Sequence, residues 1–249
     1  MTTPLSRPLL VCMTFLLLYP ASAIAAAVDH SMYGDLLARY VHDGVVDYRE
    51  LKQEESRLDE YLKLLENTDL SRLNRNDTYA FYVNAYNAWT LKVILSAYPG
   101  IQSIRELGVF STGPWKKKIV RVDGRVMSLD DVEHGILRKE YPDPRVHFVV
   151  NCASKSCPPL ISEPYRGNVL DQQLDTATRD FLNDSTYNYL KGNTLYVSRL
   201  FKWYGEDFPG GVVPFFLTYA MGDLKKQLEQ RRDRVRVKYL DYDWSLNGN

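Results

Sequence analysis

The sequence predicts an α+β protein, a single domain whose helices pack on a small, mostly antiparallel sheet. Three observations predict it. Helical periodicities alternate with short hairpin patterns along the 249 residues. One stretch, Asp77 to Ala97, is apolar on nearly every side, as only a core helix can be. No repeat, low-complexity tract or Pro/Gly-rich linker divides residues 28–249, which are expected to form one globular unit.

Residues 1–27 have the pattern of a secretory signal. Arg7 is their only charge, Pro8 to Leu18 is apolar apart from Thr14, and Ala21-Ser22-Ala23 and Ala25-Ala26-Ala27 offer small residues for cleavage. The run is short for a membrane span, so an uncleaved anchor is the lesser alternative. The expectation is a periplasmic or secreted protein with no stable span once the signal is removed. Beyond the signal, 30 basic residues face 31 acidic ones. That balance gives no electrostatic footprint for nucleic acid. The partner expected is a small molecule or a peptide.

Residues 31–66 suggest two amphipathic helices joined by an extended link at Gly44 to Tyr48. The core helix follows Asn74-Arg75-Asn76 and stops before Pro99-Gly100. Lys116 to Met127 forms a hairpin turning at Asp123-Gly124. Ser128 caps a further helix, with Asp131 completing a capping box. Arg145 to Asn151 is apolar on both strand faces and is expected as the central strand. Val169 to Leu182 is an amphipathic helix, and Tyr187 to Val197 a second hairpin turning at Gly192-Asn193. Helical stretches near 200–204 and 212–231 precede a final strand, Arg234 to Trp244.

Three constellations could carry chemistry. Asn84 and Asn87 lie three apart on the core helix. Their amides would either pin neighbouring backbone or line a site as substrate or oxyanion contacts. Asp130 and His134 are four apart on one helix face, so the carboxylate can orient the imidazole, while Glu133 is rotated away by about 100°. A surface pair bracing the helix is the plainer account of them. The third segment joins His147, Asn151, Cys152, Ser154 and Cys157 at a strand end, where loops commonly build sites.

Three accounts of the thiols stay open. A Cys152–Cys157 disulfide suits an exported chain. A reactive thiol could be activated by His134 or His147, with Asp130 or Glu133 orienting it. A metal site is the weakest, because the histidines lack ligand spacing. No cofactor and no metal is expected.

At these residues the chain resembles the family called domain of unknown function 547. The resemblance rests on Phe81 to Ala88, Ser128 to Arg138, His147 to Pro158, and Ser198 to Phe208 with Lys202-Trp203-Tyr204 and Asp207-Phe208. It covers about residues 70–225 and implies that these polar residues form one family-typical site, without implying a reaction. A looser likeness is to papain- and transglutaminase-like folds, in which a buried helix precedes a histidine-bearing strand. Here that helix carries Asn84 and no cysteine, so the likeness implies either a thiol moved to Cys152 or Cys157 or a non-catalytic binder.

Overall fold

The computed structural model describes residues 28–108 and 113–249, and the expected signal segment lies outside them. Helix α1 (Ser31–Tyr40) leads through a minimal hairpin, β1 (Val41–His42) and β2 (Val45–Val46), to α2 (Tyr48–Gln53) and α3 (Glu55–Glu66). There are thus three helices where the periodicity suggested two. Glu54 interrupts the second, and the expected extended link is the returning arm of the hairpin.

Helix α4 (Arg75–Leu95) is the axis of the molecule. Asn74 caps it by accepting from the Asp77 N–H at 2.9 Å. Fifteen of its residues are buried, including Phe81, Tyr86, Leu91 and Ile94. The α1–α3 helices, the β3 (Val120–Val122) and β4 (Arg125–Met127) hairpin and the Val146–Val150 stretch all contribute to the apolar cluster around it. A second cluster, built on Phe148, Phe181, Phe201 and Phe216, lies under α6 (Leu170–Asn183), α7 (Leu200–Trp203), α8 (Val212–Tyr219) and α9 (Gly222–Arg231). A short helix, α5 (Arg138–Glu140), lies between these halves in sequence.

The class is α+β, with a single domain and small sheets. Among the described residues the sheets are β1–β2, β3–β4 and β5-β6-β7, formed by β5 (Tyr189–Lys191), β6 (Thr194–Val197) and β7 (Arg236–Tyr239). Both longer hairpins turn where expected, at Asp123-Gly124 and Gly192-Asn193. Of these strand pairs, β6–β7 alone is parallel.

One element differs in kind. Arg145 to Asn151 is not a central strand; Pro144–Phe148 is a 3₁₀ helix. Asp143 supplies its cap, accepting from the Arg145 N–H at 2.9 Å, and Pro144 presets the first helical φ. Strand alternation therefore does not set the facing of this segment. Val146, Val149 and Val150 pack into the α4 cluster and Phe148 into the other, so the segment is the seam between the two.

The long helix expected over 212–231 is likewise broken, at Ala220-Met221. There Asn183 donates to the Tyr219 carbonyl at 3.0 Å and accepts from the Met221 N–H at 2.7 Å. No helix among the described residues is long and apolar enough to cross a membrane.

Candidate functional site

Beyond the 3₁₀ helix the chain turns into the thiol loop. Asn151 holds it from inside: its Nδ2 donates to the Pro158 carbonyl and its Oδ1 accepts from Ala153 N–H, at 2.8 and 2.9 Å. Ala153 sits at φ 61°, a left-handed conformation costly for a residue with a Cβ. The strain is held by the C-terminal tail, where Lys155 N–H donates to Ser245 O at 2.8 Å and Asn247 N–H to Ala153 O at 3.2 Å.

This geometry makes the two cysteines unlike. They are not bonded to each other. Cys157 is buried and accepts from the Cys152 N–H at 3.0 Å. Burial pushes its thiol well above the ordinary range. Cys152 is half-buried, with its sulfur 3.1 Å from Ser154 Oγ and 3.2 Å from Tyr242 Oη. The hydrogen bond from Cys157, helped by Ser154 and Tyr242, holds it below the usual thiol value despite burial. Of the two, Cys152 has the thiolate character.

The second wall is a π-helix over Asp131–Leu137, closed by Arg138 N–H donating to Glu133 O. Ser128 and Asp131 form the capping box: the Asp131 carboxylate accepts from Ser128 N–H at 2.6 Å, and Ser128 Oγ accepts from Asp131 N–H at 3.1 Å. The wider turn invalidates the 100° spacing. It puts Glu133 on the buried side and His134 at the exposed edge of the same cavity. Glu133 Oε1 accepts from Tyr204 Oη–H at 2.8 Å. His134 Nε2 lies 4.0 Å from Asp130, too far for a hydrogen bond, and its Nδ1 is 3.0 Å from an Arg138 guanidinium nitrogen. Guanidinium only donates, so the Nδ1 lone pair of His134 is occupied.

His147 is arranged the other way. Its Nε2 is 2.6 Å from Asp207 Oδ2, and its ring stacks on Tyr204 with centroids 4.0 Å apart. Arg138 clamps Asp207 at 2.6 and 3.0 Å. Burial pushes the Asp207 carboxyl up, but the bonds from Arg138 and His147 outweigh it, and the group ends below its ordinary value. An ionised Asp207 requires N–H at Nε2 of His147, which leaves Nδ1 with the lone pair. That nitrogen is buried and unpartnered among the described residues. Burial lowers the imidazole below its usual value, more than Asp207 and Glu133 raise it, so it is neutral at pH 7.

Asp130, Glu133, His134, His147, Cys152 and Cys157 line a single cavity of about 420 Å³. Neither imidazole hydrogen-bonds a sulfur among the described residues; the sulfurs are met by Ser154, Tyr242, Val150 and each other. No group of three or more His, Cys, Asp or Glu side chains among the described residues is arranged to hold a metal.

Residues 70–182 match a family model described as protein of unknown function, DUF547. Over those residues the match bears out the resemblance to the DUF547 family. No curated protein and no solved structure matches it. The DUF547 segment supplies both cysteines, both cavity histidines, Asp130 and Glu133. It ends before Ser198–Phe208, so Trp203, Tyr204, Tyr242 and Trp244, which close the cavity, come from outside it, as does Asp207.

The remaining sequence candidates stand behind the cavity. Asn84 clamps Tyr165, donating to its carbonyl at 2.8 Å and accepting from its N–H at 2.9 Å. Asn87 does the same between Val149 O and Asn151 N–H, at 2.9 and 2.8 Å. With Asn151 they fix backbone and have no amide group turned to the cavity, and Ser154 reaches it only through Cys152 and Tyr242. Sequence reasoning gave no role to Asp207, Arg138 or Tyr204. Tyr204 and Asp207 lie in the Lys202-Trp203-Tyr204 and Asp207-Phe208 motif, far along the chain from His147, and Arg138 ends the Ser128–Arg138 run.

Proposed function

We propose that this protein is an exported thiol-dependent hydrolase or acyl transferase with Cys152 as nucleophile and His147 as base. The observation carrying the reading is the pairing, in one cavity, of a half-buried thiol of lowered pKa with an Asp207-held imidazole whose Nδ1 is free. The Cys152 sulfur adds to a substrate carbonyl carbon, its proton passing to His147 Nδ1. Collapse expels an amine or alcohol, which takes that proton back. Water, or a second nucleophile, then cleaves the thioester and regenerates the thiol. Substrate would bridge sulfur and imidazole, since catalytic contacts often form only in the complex. Export rests on the pattern of residues 1–27.

The test is iodoacetamide labelling of the mature native protein across pH, with an acetyl-ester burst assay. One cysteine, Cys152, is expected to label fast at pH 7, and Cys152→Ala to abolish both label and burst. Equal labelling of the two cysteines, or an undiminished burst in Cys152→Ala, would overturn the reading.

One observation favours a second reading, a non-catalytic ligand- or peptide-binding protein with a Cys152–Cys157 disulfide. The Cys157 sulfur accepts from the Cys152 N–H at 3.0 Å, so the two thiols are neighbours that oxidation could join. Intact mass without reductant separates the two: loss of two hydrogens in the exported protein, with no labelling, favours the disulfide.

A further inference from the structure

Glu133 is only 6% exposed, and the partner of its carboxylate is the neutral hydroxyl of Tyr204. The cation nearest in sequence, Arg138, is committed to Asp207 and Glu206. A buried carboxylate held by a single neutral donor has given up most of its hydration without a counter-charge. Asp130 is a second carboxylate on the same cavity, and burial raises its pKa above the ordinary value, opposed by His134 and helped by the charge of Glu133. Aromatic side chains line the same cavity. Trp244 lies 4.5 Å from Tyr242, 5.6 Å from Trp115 and 5.7 Å from Trp203, centroid to centroid.

We propose that this cavity recognises its substrate through an ammonium group, held by Glu133 and Asp130 within the aromatic enclosure. Two carboxylates supply the charge, and ring faces attract a desolvated cation where they would repel an anion. A neutral ligand could stack on the rings but would leave Glu133 without a counter-charge. The proposal deepens the thiol reading and rests on it for the reaction. There it adds a coupling: the charge of Glu133 opposes the Cys152 thiolate, so an ammonium group beside Glu133 would favour the nucleophile when substrate is present.

Binding can be tested apart from chemistry. Trp115, Trp203 and Trp244 line the cavity, so tryptophan fluorescence reports occupancy. Benzylamine, benzyl alcohol and benzoate have similar size and differ in charge. They are titrated at pH 7 into the mature chain and into Cys152→Ala, which removes the proposed nucleophile. Expected is at least about tenfold tighter binding of benzylamine than of benzyl alcohol in both proteins, with benzoate weakest. Glu133→Gln keeps an acceptor for Tyr204 and is expected to bring amine and alcohol within about twofold, and Asp130→Asn to lose part of the preference. Equal binding of amine and alcohol, or an unchanged preference in folded Glu133→Gln, overturns the proposal. If Glu133→Gln does not fold, Asp130→Asn decides, and an unchanged preference there overturns it. Failure of the ester burst with the amine preference intact would remove the thiol reading alone.

Discussion

Cys152 and His147 owe their character to neighbours that can be removed one at a time. Cys157 contributes most to the low pKa of the Cys152 thiol, followed by Ser154 and then Tyr242. Cys157→Ala is therefore expected to raise the apparent pKa for alkylation of Cys152 most, Ser154→Ala less, and Tyr242→Phe least. The pH dependence of the iodoacetamide rate measures that order, and an unchanged pKa in all three would show that these donors do not set it. Asp207 acts on His147 with the opposite sign to burial: its hydrogen bond and charge raise a pKa that desolvation lowers. Asp207→Asn should thus push the His147 titration lower in an NMR pH series and cost about 2 kcal/mol of stability, as loss of a charged hydrogen bond does. The six candidates His134, His147, Cys152, Cys157, Asp130 and Glu133 could be named from sequence because each is a rare or reactive type in a small polar context. The partner of His147 could not, because the contact spans 60 positions.

The elements presenting these residues were legible to different degrees. Helix α4 and the Asp123-Gly124 and Gly192-Asn193 hairpins are dictated locally, by an apolar run and by turn residues. Val146, Phe148, Val149 and Val150 mimic a buried strand, although Asp143-Pro144 before them is a helix-start signal. The π-helix was not legible at all: its capping box predicts a helix without saying how wide the turn will be. Gly135, inside that π-helix, has nothing within 4 Å of where a Cβ would lie and no positive φ. Gly135→Ala is therefore expected to stabilise the protein by about 0.5–1 kcal/mol in urea unfolding by reducing the freedom of the unfolded chain. Gly248 is the contrary case: a Cβ there would fall 1.9 Å from Val46 O. Gly248→Ala should displace the tail that holds the thiol loop, costing about 1–3 kcal/mol, and speed alkylation of the buried Cys157.

Across the whole molecule, stability should depend on pH through histidines held neutral in the fold. His30, at the start of α1, is buried with its Nδ1 2.6 Å from Tyr61 Oη, and Tyr61 stacks on Tyr33 at 4.7 Å. Burial, helped by the charge of Arg166 and opposed by Asp29, pushes its pKa down to about 4. In the unfolded chain it returns to about 6.5. Below that pH the unfolded state takes up a proton that the folded state refuses, so the contribution of His30 is complete above about 6.5 and is lost as pH falls toward 4. The full span is worth about 3 kcal/mol at 1.36 kcal/mol per unit. His147 works in the same direction over a window that also begins at its unfolded value and extends below it. Asp131 and Asp207 have lowered carboxyl values, so their contribution is complete above the unfolded aspartate value near 3.9 and is lost as pH falls from there through their lower folded values. Acid unfolding is thus expected in two stages, histidines first and carboxylates after. His30→Gln, which can still bond Tyr61 but does not titrate, should flatten the first stage. Urea midpoints at pH 7.5, 5.5 and 4.2 measure it: wild type should lose about 1–3 kcal/mol more than the variant between the first and last. Equal losses in the two proteins would mean that His30 is protonated in the fold or already hydrated there.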